Sequence, residues 1–515
     1  MKKGQIILTL TLTMFMASVA WAQDDQTPSS APVPAFGQEN PAPPVIDNPP
    51  ISGVDQPGLE PHAAPESFLL PGLHFSESVD SNIGNTLGGT STGSITRGLG
   101  SLTLQKLWKN YDVAMDYIGG VAYYAEQGIG VEQLHQFDID NRINWKRGQL
   151  GIRDSFSYLP EGSFGFSAYG GSGAYSAGMG SLGSGMLGAS AFGGTSGAFI
   201  GGGGANGLSL GEVPRITNIA LVDVAETLTP KSSVTASVGL GIVHFDEGSI
   251  LSATGAPESI SFIGSREETA QVGYDRLLNA KDQVAVSYGY QGFDFSTSGT
   301  SFHSNVVQAM YGHRISGRMD LMIGAGPQFT HIDSSAILCN FFGELVELPP
   351  AQCVTNTFQN VSQSANHIGL VGSVSLRYRF PKTSLSASYQ RYNTSGGGVF
   401  AGSRSDIVHV GLHRPLTRVW DAFGDFGLSK NSQLQLAGST VAATEFKYVY
   451  AGAGLHRQFG PNLRGFLSYQ FNYLTFNSGC PVPQAPSSGI GCSNDSQRHV
   501  GSIGLDWTPR PIRLD

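Results

Sequence analysis

The chain has 515 residues, a net charge of −9 and only 13% charged residues, with 69 glycines and 28 phenylalanines. The acidic balance gives no basis for nucleic-acid binding. Low charge and almost no 3.6-residue periodicity exclude an ordinary soluble α/β protein of this length.

The first element is a leader. Lys2 and Lys3 precede an uncharged apolar run from Ile6 to Val19, and Ala20-Trp21-Ala22 fits a small-residue cleavage site. The expected processed chain starts at Gln23, with residues 1–22 removed. Residues 23–72 form the next segment. Pro34, Pro41, Pro43-Pro44 and Pro49-Pro50 oppose both helix and sheet there. It reads as a disordered or polyproline-like periplasmic arm. It is a spacer, or a candidate contact for a periplasmic partner or the cell wall.

Strand signals begin at Leu73, with Leu73, Phe75 and Val79 on one parity. Tyr111, Val113, Met115 and Tyr117 then share a face opposite Asp112, Ala114 and Asp116. Phe137, Ile139, Ile143 and Trp145 oppose Asp138, Asp140 and Arg142, while Ile152 and Phe156 oppose Arg153. Further on, Leu376, Tyr378 and Phe380 oppose Arg377 and Arg379, and Leu463 and Leu467 oppose Arg464. Side chains alternate across a strand, so each segment can present one face to lipid and the other to water. Between Thr217 and Leu228, Asp223 and Glu226 fall on opposite parities, which predicts a bulge.

The connections alternate between tiny and long. Tiny ones are Lys109-Asn110, Lys146-Arg147-Gly148, Thr229-Pro230-Lys231, Asn279-Ala280-Lys281, Phe380-Pro381-Lys382 and Gly460-Pro461-Asn462. Long ones include Ala125–Gln133, Asp333–Gln359, Ser395–Gly402 and a Gly-rich loop over 161–214, read as a mobile cap over the extracellular mouth or, alternatively, a segment folded into the lumen. This rhythm predicts an all-β fold: a transmembrane up-and-down antiparallel β-barrel over residues 73–508, with a tail at 509–515. Segment counting gives about 18 strands, with 16 as the alternative. Short turns on the inner side require an even count and place both termini in the periplasm.

Four cysteines allow three connectivities. Cys339 with Cys353 and Cys480 with Cys492 each bracket one loop, so two local disulfides are expected in an exported chain. Closing a loop of about 15 residues contributes roughly 3 kcal/mol.

This architecture resembles outer-membrane β-barrel proteins of the porin-like type, over Leu73 to Trp507. The last strand signal, Ile503, Leu505 and Trp507, resembles the apolar alternation with a final aromatic that such proteins carry at their C-terminus. Here the chain continues to Asp515 and lacks a terminal Phe. The resemblance implies the bacterial outer membrane, contact with its lipid and, among partners, a homo-oligomer.

Enzyme chemistry is not expected, nor any cofactor or metal. His409 and His413 share a strand face but read as lumen or rim polar groups, and Asp138 with Asp140 reads as part of a solvated ladder. Gly201 to Gly204 lacks the Lys-Ser/Thr of a phosphate loop. The candidate lumen lining is Asp112, Asp116, Asp138 and Asp140 against Arg142, Arg153, Arg377, Arg379 and Arg464. Such a lining predicts passive diffusion of small hydrophilic solutes. The alternative is a surface-exposed structural or adhesin-type barrel whose loops bind a partner without transport.

Overall fold

The computed structural model describes residues 50–53 and 67–514, apart from 84–91, 126–129, 160–214, 246–247, 252–256, 261–263, 296–298, 342–343, 347–357, 395–400, 435–444 and 478–494. The leader, most of the arm and the Gly-rich loop lie outside these residues. So do Cys353, Cys480, Cys492 and the side chain of Cys339.

Eighteen antiparallel strands close into one barrel. They are β1 (Phe68–Asp80), β2 (Gly93–Leu107), β3 (Tyr111–Ala125), β4 (Gly130–Trp145), β5 (Gly148–Leu159), β6 (Arg215–Thr229), β7 (Ser232–Phe245), β8 (Ser265–Leu277), β9 (Asp282–Phe295), β10 (Thr300–Ser316), β11 (Met319–Phe341), β12 (Phe358–Phe380), β13 (Thr383–Thr394), β14 (Ser403–Pro415), β15 (Trp420–Gln433), β16 (Glu445–Gln458), β17 (Leu463–Phe476) and β18 (Asp495–Trp507). Each pairs with its sequence neighbour. The cylinder closes where β1 meets β18, from Leu73 opposite Trp507 to Asp80 opposite Val500. Closure pairs the first strand with the last, which removes the open sheet edges that lipid does not tolerate.

Every second connection is short, as the turn residues predict, and two further ones occur at Gly317-Arg318 and Leu416–Val419. Side chains fix several of them. Asn279 Oδ1 accepts the backbone N–H groups of Lys281 (2.7 Å) and Asp282 (3.0 Å). Thr417 Oγ1 accepts that of Trp420 at 3.1 Å. Asn and Thr suit such turns because they bond the backbone two or three residues on.

Strand limits differ from the sequence reading at two places. β1 starts at Phe68, where Phe68–Gly72 pairs with Gln105–Ser101 of β2. Pro71 is tolerated because the β1–β18 ladder ends at Leu73, so its missing N–H removes no bond on that side. β11 and β12 are 23 residues each and run far into the segment expected to be the 333–359 loop. Their register is continuous from Met319 opposite Tyr378 to Cys339 opposite Phe358. An extended hairpin satisfies its own backbone groups, so it can project beyond the bilayer.

The two faces separate by parity. On β7, Val238, Leu240 and Ile242 are exposed while Thr235 and Ser237 are buried. On β12 Ile368 is 79% exposed. Of the five tryptophans, Trp108, Trp145, Trp420 and Trp507 all stand at the short-turn rim, joined by Phe380 and Phe459. Arg457 lies 5.2 Å from the Trp420 ring and 5.1 Å from that of Phe459. An aromatic girdle around an apolar outer band is the exterior of a transmembrane barrel.

The register irregularity in β6 falls between Thr227 and Thr229, beyond both acidic residues. Asp223 and Glu226 differ in parity because they face opposite ways. Asp223 is buried on the inner wall. Glu226 accepts the Trp145 indole N–H at 2.6 Å at the rim.

Candidate functional site

The inner wall is a continuous field of paired polar groups. Its densest part spans β3 to β6. Asp112 stands opposite Arg142, and Asp116 opposite Asp138. Thr103 donates to Asp116 at 2.5 Å, while Ser155 (2.5 Å) and Gln136 (2.8 Å) donate to Asp138. Arg142 bonds Asp140 through Nη2 at 2.8 Å and Nε at 3.1 Å. Arg153 lies 3.5 Å from Asp140 and 3.7 Å from Asp223. Two-residue steps along each strand and one register row per neighbour turn separate Asp and Arg positions into this ladder. Pairing is what makes it tolerable, since an isolated buried charge costs far more than a matched one.

Arg464, Arg377 and Arg379 lie elsewhere on the wall. Arg464 Nη2 reaches Asp506 at 3.2 Å. The other Asp506 oxygen lies 2.8 Å from His74 Nδ1, and His74 Nε2 lies 2.8 Å from Ser101 Oγ. Arg377 stands opposite Asp320, which Arg314 approaches at 3.4 Å. Arg379 is at the short-turn rim, where its N–H donates to the Arg318 carbonyl at 2.8 Å. The nine lining residues therefore form separate groups around the wall. His409 Nε2 meets Asp425 at 2.9 Å, while His413 lies 3.9 Å from Asp421, whose nearer partner is His456 at 2.8 Å.

Sequence reading missed the pair at the seam. Asp80 is 0% exposed and accepts from Arg498 Nε at 2.6 Å. Parity alone marks Asp80, which follows Ser76 and Ser78 on the inner series. Its partner is 418 residues away, and only closure brings the two together.

The inner wall changes character toward the long-loop rim. Phe293, Phe295, Phe302 and Ile332 form a buried cluster there, with the Phe293 and Phe302 rings 4.6 Å apart. Ile83, Ile95, Leu99, Ala122, Tyr124 and Leu134 form another. Phe446 and Phe476 pack at 5.8 Å. Part of this collar comes from infolding. β13 stays with β12 only as far as Gly372 opposite Arg391. Its end then packs on the inside of β9–β11. There Asn393 Nδ2 donates to Thr330 (2.9 Å) and Ser304 (3.2 Å), and Gln291 Nε2 donates to the Asn393 carbonyl at 3.3 Å. Ala401 and Leu434 lie against the Phe302 cluster.

A piece of the N-terminal arm also occupies the lumen. Pro50–Gly53 forms a turn closed by Gly53 N–H to the Pro50 carbonyl at 3.1 Å. Ser52 N–H donates to Asp275 Oδ1 at 3.0 Å, and its hydroxyl donates to Asp275 Oδ2. The Ser52 hydroxyl also lies 2.7 Å from Thr235 Oγ1, and Gln271 Nε2 donates to the Ser52 carbonyl at 3.0 Å. Ile51, 2% exposed, packs with Ala285, Met310 and Met322. Burying such a side chain is worth about 1.5–3 kcal/mol.

A closed cylinder that is apolar outside, girdled with aromatics and polar inside has the architecture of a transmembrane β-barrel, the kind that spans outer membranes. No protein-family model matches the chain, and neither does any curated protein. Among solved structures it is similar to the ferric-catecholate import receptor Fiu from E. coli K12 in its open form. That match has 9% identity over 85% of this chain and 81% of that one, with a TM-score of 0.43. It is also similar to Pseudomonas aeruginosa OpdQ (10% identity, 87% and 99% covered, TM-score 0.36) and OccK2 (9%, 87% and 98%, 0.37). At these values the assignment rests on the barrel's own geometry.

Proposed function

We propose that the protein is an outer-membrane channel that passes small hydrophilic solutes by diffusion. The observation that carries this reading is the polar inner wall on an 18-strand circumference. Side chains no longer fill a barrel of that size, so an aqueous path remains. Carboxylates and guanidiniums facing one another orient water and polar solutes without holding them tightly. In this reading the short turns and both ends of the barrel face the periplasm, after removal of residues 1–22. Stapled loops at Cys339/Cys353 and Cys480/Cys492 stand outside.

Planar-bilayer recording on the purified, folded protein tests the proposal. Discrete conductance steps are expected. A heat-modifiable, correctly inserted barrel that gives no steps at any voltage, as the parent and as Ile51→Ser alike, removes it.

A further inference from the structure

We propose that the inner-wall cleft of β7–β11 is a binding site for the chain's own arm, and that the docked Pro50–Gly53 turn holds the channel closed. This rests on the channel reading for its consequence, although the docking itself does not. The site is built for a peptide turn. Its carboxylate, Asp275, takes one N–H and one hydroxyl from the same residue, and Gln271 takes the matching carbonyl. Two glycines make room on the wall side. A Cβ at Gly273 would collide with Ser52, meeting its Cβ at 2.6 Å, and one at Gly312 would press on Ile51 at 3.3 Å. Neither glycine has a positive φ, which among the described glycines occurs at Gly130, Gly299 and Gly402. Their lack of a side chain therefore serves close approach of the arm rather than backbone conformation.

The position supports closure. Asp275 lies two residues from the end of β8, at the short-turn side, and Ile51 reaches across to residues of β9, β10 and β11. One short turn thus bridges the inner faces of five consecutive strands, including β7 through Thr235. The N–H, hydroxyl and carbonyl of Ser52, the backbone of Ile51 against Asp275 and the Ile51 side chain hold it. Such a contact is strong enough to persist and weak enough to release when the arm is engaged from the periplasm.

The test uses the full processed chain. A diazirine amino acid at position 51 is photolysed in outer membranes, and the crosslinked peptide is identified by mass spectrometry. Single-channel recording is made on Ile51→Ser, Gly273→Val and Asp275→Asn. Crosslinks to the Ala285 or Met310 peptides are expected, lost in Gly273→Val. The open fraction should rise roughly tenfold, the equilibrium effect of losing bonds to a charged group. Ile51→Ser leaves the barrel wall intact, so its result stands even if a wall variant folds poorly. Absence of the crosslink in the parent overturns the docking site. A crosslink with unchanged open fraction in all three variants overturns its closing role. If no form conducts, Ile51→Ser included, the channel reading fails while the crosslink still decides the docking.

Discussion

The short-turn half of the lumen and its long-loop half obey the same alternation but bury opposite chemistry. Below, Asp140, Arg142, Arg153, Asp506 and Asp275 are matched by donors and acceptors. Above, Phe293, Phe302, Phe446 and Tyr124 pack as an apolar collar. The lesson is that parity decides only which side chains point inward. What they do there depends on what else enters the cylinder. Where the end of β13 folds in on β9–β11, Asn393 bonds Thr330 and Ser304, and beyond it Ala401 and Leu434 cover the Phe302 cluster. Where the wall stays open to water or to the polar arm turn, the same positions must be polar.

The seam carries a charged pair near the long-loop rim, and it gives the largest expected effect. Asp80→Ala removes the carboxylate that Arg498, 5% exposed, donates to through Nε at 2.6 Å. It should destabilise the barrel by about 3–5 kcal/mol in denaturant titration of the heat-modifiable band. Asp80→Ala with Arg498→Met should recover most of the loss. No recovery would show that the pair serves something other than charge matching. Phe302→Ala empties the centre of the collar and should cost about 3 kcal/mol. It should also raise single-channel conductance, because the collar narrows the path. A drop in stability without any gain in conductance would place the constriction elsewhere.

Next comes the contrast between faces. Val238→Arg puts a charge on the lipid side near mid-strand, and its folding into bilayers should weaken by about 2 kcal/mol. Ser237→Arg, its inward neighbour, should cost much less. Equal effects would contradict the assignment of faces on β7. The smallest change is expected from Arg142→Gln. It removes one partly exposed cation from the ladder and should shift the reversal potential in a salt gradient by a few millivolts toward cations, with stability unchanged within about 0.5 kcal/mol.

Much of the wall was readable from sequence because strand periodicity is local. The alternation of Tyr111, Val113 and Met115 with Asp112, Ala114 and Asp116 needs no knowledge of neighbours. The turns were readable for the same reason, since Asn279-Ala280-Lys281 carries its own hydrogen bonds. The turns at Gly317-Arg318 and Leu416–Val419 were harder, because they lack the Asn or Pro that marked most of the others. The length of β11 and β12 was also hidden. Their outer ends are held by pairing with each other across the hairpin rather than by an alternating pattern.

The candidate site was legible only as a set of inward positions. Nothing near Ser52 in the sequence points to Asp275, 223 residues away, or to the glycine opposite it. A Pro-rich stretch reads as a spacer because its composition cannot form a core of its own. It can still bury one isoleucine and one serine in a site made by other strands. Sequence by itself therefore determined the strand period, the turn rhythm and the side of the wall each residue takes, since these follow from bonds between near neighbours. Closure alone decided which charges meet, where aromatic clusters form inside the wall and where the Pro50–Gly53 turn packs, because those contacts exist only once the first strand has found the last.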